Sequence, residues 1–487
     1  MEDCNGHDEY APLPVGQRYE HGRIVPHLTV EQRVARGKAA RREVPREAHS
    51  SFSPSSGRHD PVDLLERQAT SRLPELVPIR YGRMLISPFT FYRGAALVMA
   101  SDLAAGPRSG ITTQLGGDAH LMNFGAFGSP ERQLVFGIND FDETLPGPWE
   151  WDVKRLAASF AIAGRDDGYS TKERRTVLMA TVGAYRRTMR EFAAVNNLTV
   201  WYAHLDIDQA YLELQGQLDH ASRKRAQASI AKARARDSTQ AYNKLTHVVD
   251  GERRIISDPP LIQPVEELVD GTQLDEVIAW IRDMLGGYRR TLQSDRRELL
   301  EDFRFVDLAR KVVGVGSVGT RAWIVLLLGR DQNDPLFLQV KEAQASVLEE
   351  FLEPSRHSSA GARVVHGQHL MQETSDIFLG HQRVLAPDGV ERDFYVRQLR
   401  DWKGSALVES MTPPTMALYG RLCGWTLARA HARSGDRVAI ASYLGSGDTF
   451  DRAITQFSES YADQNERDYD ALVRAEREGR ISAQRGL

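Results

Sequence analysis

Apolar residues recur at helical spacing through much of the first 300 positions. In WDVKRLAASFAIAG, Val153, Leu156, Ala157 and Phe160 share one face, which predicts a helix from Asp152 onward. A second long helix is predicted over 171–196, after the capping pair Ser170-Thr171. Segments 205–245 and 272–300 also read as helical, with alternating basic and acidic residues that mark solvated faces. The region 110–142 breaks this rhythm. Its apolar stretches are short and its turns carry Gly, Asn and Asp, predicting strand, loop, strand, loop. Near Phe305 the period changes again. VDLARKVVGVG, RAWIVLLLG, PLFLQVK, ARVVHGQ, IFLGHQRVL and DFYVRQL read as short strands up to residue 400, interrupted by one helix around 345–352. Helical spacing returns over 415–433 and 449–477.

The pattern predicts an α+β protein in four parts: a partly ordered N-terminal arm over 1–59, a largely helical portion over 60–300, a β region over 301–405, and closing helices over 406–487. The arm carries one short helical stretch near 30–40. Its Arg-rich run at 33–47 suits a solvated helix better than a docking site for an anionic partner.

Composition narrows the class. A chain of 487 residues, 41% hydrophobic and 26% charged, suffices for about two or three packed units of ordinary globular type. The net charge of -4 gives no whole-molecule attraction to nucleic acid. No apolar run reaches the roughly 18 residues of a membrane span. The opening MEDCNGHDEYAPLP lacks the apolar core of a signal peptide. Two cysteines, Cys4 and Cys423, are too few for a disulfide framework, and Cys423 in LCGWTLA reads as a small buried hydrophobe. The expected location is the cytoplasm.

Candidate chemistry concentrates in 117–142, GDAHLMNFGAFGSPERQLVFGINDFD. Asp118 and His120 lie two apart, Asn123 follows, and an acidic turn with Asp140 and Asp142 closes the next apolar run. Phosphoryl transfer needs these residue types: a carboxylate to orient a hydroxyl, then an amide and a carboxylate to hold magnesium against phosphates. His120 suits positioning of the loop better than proton transfer. Asp142 suits either a second metal or the capping of its own turn.

A second group lies in the β region. Gly314, Gly316 and Gly319 frame a turn with Ser317, where amide N–H groups can meet a polyphosphate. A strand rather than a helix follows, so a glycine-rich hairpin fits better than a dinucleotide fold. In PLFLQVKEA, Phe337, Gln339 and Lys341 share one strand face and Leu338 and Val340 the other. Lys341 thus follows the glycine turn by one strand, with Glu349 or Glu350 available to pair with it. The run at 393–405 reads as a last strand and a connection, near which an adenine would stack. Arg80, Arg83 and Arg93 suit either an anionic substrate or nucleotide, or structural ion pairs. His431, near a helix C-terminus, has a local electrostatic explanation.

GDAHLMN resembles the GDxHxxN catalytic loop of the aminoglycoside and choline phosphotransferase branch of the protein-kinase-like superfamily. The resemblance implies a catalytic role for Asp118, magnesium on Asn123 and Asp140, and a bracing role for Asp152 at the start of its helix. It also implies ATP held by Gly314, Gly316, Ser317, Gly319 and Lys341, with Glu349 as partner of Lys341. The implied fold has a helical large lobe and a small antiparallel β lobe over 301–405. The order is reversed, since Asp118 precedes Gly314, which implies a circular permutation. In that arrangement segment 272–300 bridges the lobes, and helix 415–433 supplies the helix that normally leads into the catalytic loop. Eleven residues separate Asp140 from Asp152, leaving little room for a regulated activation segment. The chain from about residue 60 also resembles an uncharacterised bacterial family marked by RYGRM, FYRGAA, GDAHLMNFG, NDFDE, YVRQLRDWKGS and YADQNERDY.

The expected function is an ATP- and magnesium-dependent phosphotransferase acting on a hydroxyl-bearing small molecule. Adenylyl transfer to a protein by the same fold, and a non-catalytic nucleotide-binding module, are the alternatives.

Overall fold

A computed structural model of the protein describes residues 17–20, 23–269, 271–399 and 401–487. Cys4 and the first part of the expected arm lie outside the described residues. The chain folds as a mixed α+β protein whose sheets are all antiparallel.

The largest sheet has six strands, in the order Gly380–Leu385, Glu391–Gln398, Pro335–Ala343, Ala322–Leu328, Arg304–Lys311, Ile262–Pro264. The strand Pro335–Ala343 is buried along its whole length, so its two faces separate by the period of two. Leu338 and Val340 pack with Ile281, Met284 and Tyr288 of the helix Gly271–Tyr288. Phe337 packs on the opposite face with Ile324, Leu326 and the helix Ser238–Leu245. Gln339 and Lys341 share the face of Phe337 and point toward the rest of the molecule. Ile262–Pro264 and Gly271–Tyr288 therefore belong with the sheet, although the sequence reading grouped them with the helical portion.

The helical body is built on Trp149–Asp166, Thr171–Ala193, Pro413–Ser434 and Thr449–Arg477. Thr171–Ala193 starts at a capping box between Ser170 and Glu173. Its partner Pro413–Ser434 approaches closely because Gly424 faces the backbone of Thr181, where a Cβ would lie 2.3 Å from the carbonyl oxygen. Cys423 is buried in the same helix.

Residues 60–103, within the portion expected to be helical, fold as short helices, Pro61–Ala69, Val77–Met84, Pro88–Gly94 and Ala96–Ala104. Three expectations change. The described part of the arm is docked: Gly37 of the helix Val30–Glu43 abuts Ala439, and His49 hydrogen-bonds Tyr443 at 2.7 Å. ARVVHGQ is not a strand but part of the helix Ala360–Met371, capped by Ser359, whose Oγ accepts Ala362 N at 3.0 Å. Its buried residues Arg363, Val364, Gly367, Gln368 and Met371 recur at helical spacing. The helix expected at 345–352 is only the short 3-10 segment Val347–Glu350.

No helix among the described residues is long and apolar enough to cross a membrane.

Candidate active site

Two small strand pairs hold the motif loops at the edge of the helical body. Thr112–Leu115 pairs with Leu145–Pro148, and Phe124–Gly128 with Leu134–Ile138. The loop between the first and second of these strands carries Asp118, His120 and Asn123. Asp152, in the first turn of the helix Trp149–Asp166, braces it: Oδ2 accepts Gly116 N at 2.7 Å and Oδ1 accepts Gly117 N at 3.0 Å. His431 also contacts Asp152, with Nε2 3.2 Å from Oδ2, and its Nδ1 lies 2.9 Å from the Tyr185 hydroxyl. Asp152 thus holds the backbone of Gly116 and Gly117, and His431 has a buried partner rather than only a helix end. Gly117 has φ +80°, and a Cβ there would lie 2.1 Å from the Glu143 carbonyl oxygen. The two motif loops touch at this point.

Asp118 is held by Arg155, whose Nε and Nη2 donate to Oδ1 at 2.9 and 2.7 Å. Arg155 sits one helical turn beyond Asp152, with its guanidinium 3.8 Å from the centre of the Tyr92 ring. His120 is buried, its Nε2 3.7 Å from Asp118 Oδ2. Burial, with Arg155 and Arg93 nearby, drives its pKa well below the usual histidine range. A neutral ring fits the expected positioning role. Asn123 ties the loops together: Nδ2 donates to the Asp118 carbonyl at 2.7 Å, and its own carbonyl accepts Asn139 N at 2.8 Å. Its side-chain oxygen remains as an acceptor.

The sheet and the acidic turn meet at Asp142. Lys341 Nζ and Ser317 Oγ donate to Oδ2, the second at 3.2 Å, and the Tyr395 hydroxyl donates to Oδ1 at 2.7 Å. Burial raises the Asp142 pKa, but Lys341 and these hydrogen bonds outweigh it and hold the carboxyl below its usual range. Lys341 moves the opposite way: burial disfavours its charge, but Asp140 and Asp142 together raise its pKa above the ordinary lysine value. Asp140 accepts Asp142 N at 3.2 Å, and burial with the neighbouring Asp142 charge pushes its carboxyl up. Asp142 is thus occupied by side-chain donors, while Asp140 is the carboxylate of the pair with capacity for a cation.

Glu349 does not pair with Lys341. Its oxygens accept Ser346 N and Ser355 N, each at 3.0 Å, and Arg363 Nε lies 3.7 Å away. Lys341 is taken by Asp142 instead. Arg363 instead ties the acidic turn to the helix Ala360–Met371, donating to the carbonyls of Thr144 at 2.6 Å and Asp142 at 2.9 Å.

The glycine turn is fastened rather than free. Leu73 N donates to the Gly319 carbonyl at 2.8 Å, Arg72 and Arg83 donate to the carbonyls of Val318 and Gly314, and Val318 is buried against Leu76 and Ile79. Among the described residues, the N–H groups of Gly316 and Ser317 have no protein acceptor. A cavity of about 710 Å³ opens here, lined by Asp118, His120, Asn123, Asp140, Asp142, Gly314, Gly316, Ser317 and Glu349. Its size suits a small-molecule site. A second cavity, of about 510 Å³, lies by the connection after Glu391–Gln398 and mixes Phe127 and Leu336 with Asn139, Gln339 and Arg397.

Arg155, Arg363, Tyr395 and Glu143 belong to this site and escaped the sequence reading. Glu143 Oε2 accepts Val347 N at 2.7 Å, and burial pushes its carboxyl up to about 7. Arg155 alone left a local signal, since Asp152 and Arg155 fall on one helix face. Among the described residues no group of three or more His, Cys, Asp or Glu side chains is arranged to hold a metal ion.

The fold and site define a mixed α+β protein with an acid-rich cavity between a six-stranded sheet and a helical body. Over residues 72–475 the chain matches the model of a family described as uncharacterised proteins conserved in bacteria, DUF2252, and it belongs to that family. No curated protein and no solved structure matches the chain.

Proposed function

We propose that the protein is an ATP- and magnesium-dependent phosphotransferase acting on a hydroxyl-bearing acceptor. The observation that carries this reading is the contact of Lys341 with Asp142, 199 positions apart, beside Asp118, Asn123 and Asp140 on one cavity. The pairing ties the lysine strand to the acidic turn, and Asp142 of that turn lines one cavity with Asp118, Asn123, Asp140 and the glycine turn, which supports a permuted kinase-like arrangement of a helical lobe and a β lobe. The strand order from the glycine hairpin through the lysine strand agrees with that arrangement.

The donor set fits magnesium. That ion takes only one or two protein carboxylates and completes its shell with water and phosphate oxygens. Asp140, with its carboxyl pushed up by burial and by Asp142, gains from a cation beside it, and the Asn123 side-chain oxygen is a second candidate ligand. When bound, the metal supplies charge neutralisation at the phosphates. The protein's own part is positional. Lys341 and the Gly316 and Ser317 amides hold negative charge, and Arg155 fixes Asp118 so that it can orient an acceptor hydroxyl and take its proton.

Phosphorus NMR of the protein with ATP, magnesium and a cell metabolite extract tests this. ADP and a new phosphoester signal, both absent in Asp140→Ala, are expected. AMP with pyrophosphate would replace the reading with adenylyl transfer. Unchanged ATP together with tight nucleotide binding would replace it with a binding module.

A further inference from the structure

The acids lining the 710 Å³ cavity are already engaged. Asp118 is held by Arg155, Asp142 by Lys341 and Tyr395, Glu143 by Val347 N, and Glu349 by two backbone amides. Glu342 lies by Arg321 and Arg392, and Glu350 pairs with Arg67. Asp140 is the carboxylate that fits a cation.

Two arginines on the same cavity have no carboxylate partner among the described residues, although Arg72 donates to the Val318 carbonyl. Arg72 is 7% exposed, and Arg93 is half-buried. Among the described residues neither forms an ion pair, and the Nε of each is buried without a hydrogen-bond partner. Burial lowers the Arg72 pKa to about 10 and lowers that of Arg93 as well, and the carboxylates nearby, Glu143 and Asp142 for Arg72 and Asp118 and Glu409 for Arg93, only partly offset it. Both border the glycine turn. A Cβ at Gly319 would lie 3.0 Å from the Arg72 side chain, and one at Gly316 would lie 3.3 Å from the Arg93 carbonyl. The other two arginines of the basic cluster do not line the cavity. Arg80 donates to Gln68 and to the Gly94 carbonyl, and Arg83 to the carbonyls of Gly314 and Leu487.

A buried, unpaired guanidinium is costly unless a ligand completes it, and guanidinium groups match carboxylate and phosphate oxygens. We propose that Arg72 and Arg93 form an anion-binding subsite beside the glycine turn, and that the acceptor carries a carboxylate or phosphate held there while its hydroxyl faces Asp118. The acceptor's identity as a hydroxyl compound rests on the phosphotransferase reading; the anion subsite stands on the two arginines.

The test is calorimetric titration of the full chain at low salt with two probes, inorganic phosphate without metal and ATP with magnesium. Three variants are compared with the wild type: Arg93→Gln, Arg93→Lys and Asp140→Ala. Phosphate is expected to bind the wild type and Asp140→Ala alike, and to bind Arg93→Gln at least about tenfold more weakly, with Arg93→Lys between. ATP with magnesium is expected to bind Arg93→Gln within about threefold of wild type and to be lost in Asp140→Ala. Phosphate binding that is absent from the wild type, or unchanged in Arg93→Gln, overturns the subsite. Loss of ATP binding in Arg93→Gln equal to that in Asp140→Ala assigns the arginines to the nucleotide and overturns the acceptor assignment. Full ATP binding in Asp140→Ala sinks the phosphotransferase reading alone and leaves the phosphate result standing.

Discussion

Arg155 grips Asp118 through two donors on a single oxygen, Oδ1, at 2.9 and 2.7 Å. The other oxygen, Oδ2, lies 3.7 Å from the His120 ring. The grip fixes the carboxylate in one orientation, which is what a residue that orients a hydroxyl needs. Asp118→Asn keeps the shape but removes the base. Turnover in that variant is expected to fall by about 10²–10⁴-fold, with ATP affinity near wild type. Arg155→Met should lose turnover and also stability, on the order of 3 kcal/mol, because it leaves a carboxylate without its cation. Steady-state kinetics beside urea unfolding separates the two. An Asp118→Asn protein with wild-type turnover removes Asp118 from the chemistry.

Lys341 makes the long-range closure on Asp142, and that closure is a stability device as well as a proposed phosphate contact. The Lys341 side chain is 3% exposed and that of Asp142 27%. Lys341→Met is expected to cost about 2 kcal/mol, less than a fully buried pair because Asp142 retains Tyr395 and some solvent. The double variant Lys341→Met with Asp142→Asn should recover part of that loss, since Asp142 then leaves no stranded charge and Asp140 loses its like-charged neighbour. Urea unfolding of the four proteins in the cycle gives the coupling energy. A coupling near zero would mean that the contact contributes nothing to the joining of sheet and helical body.

How much of this was legible in the chain follows from the range of each interaction. The helices Thr171–Ala193 and Thr449–Arg477 announce themselves through long amphipathic periods and, for the first, a capping box. The Asp118, Asn123 and Asp140 spacing is local, and Lys341 is placed by the alternation of one strand. The helix Ala360–Met371 is hidden by its composition. Its short apolar run of paired valines fits a strand equally well. Gly361 and Gly367 look like breakers, yet they allow close contact, since a Cβ would lie 2.5 Å from the Phe394 carbonyl oxygen and 2.4 Å from the Thr144 side chain. Arg72, Arg155 and Arg363 were hidden for another reason. An arginine's role is set by which carbonyls and carboxylates the fold brings to it, and for Arg363 two of these lie 219 and 221 positions away.

Gly117 tests the contact of the two motif loops. Its φ of +80° disfavours any side chain, and the space for a Cβ is filled by the Glu143 backbone. Gly168 has a similar φ, +73°, with nothing within 4 Å of a Cβ. Gly168→Ala therefore isolates the conformational term, expected at about 1 kcal/mol. Gly117→Ala should cost at least about 2 kcal/mol more, because backbone must shift and the Asp152 hydrogen bonds to Gly116 and Gly117 go with it. Equal losses in urea unfolding would show that the loops adjust freely and that their contact does not set the site.

His49 gives the arm-to-body contact a pH dependence. The Tyr443 hydroxyl donates its proton to the Val44 carbonyl at 2.9 Å, so His49 Nε2 must donate to that same hydroxyl, 2.7 Å away. The other ring nitrogen, Nδ1, is buried without a partner. A second proton would land on Nδ1 with no acceptor, and burial, aided by the Lys154 charge, accordingly lowers the pKa to about 3. The unfolded chain has the ordinary value of about 6.5 and so takes up the proton first. Stability is therefore full above pH 6.5 and is lost as pH falls from there toward 3, by an expected 2–3 kcal/mol, roughly, at pH 4.5. His49→Gln, which keeps a donor for Tyr443 and cannot titrate, should flatten that part of the profile. Urea midpoints of both proteins at pH 7.5, 6 and 4.5 decide it, and parallel profiles would remove His49 as the titrating group.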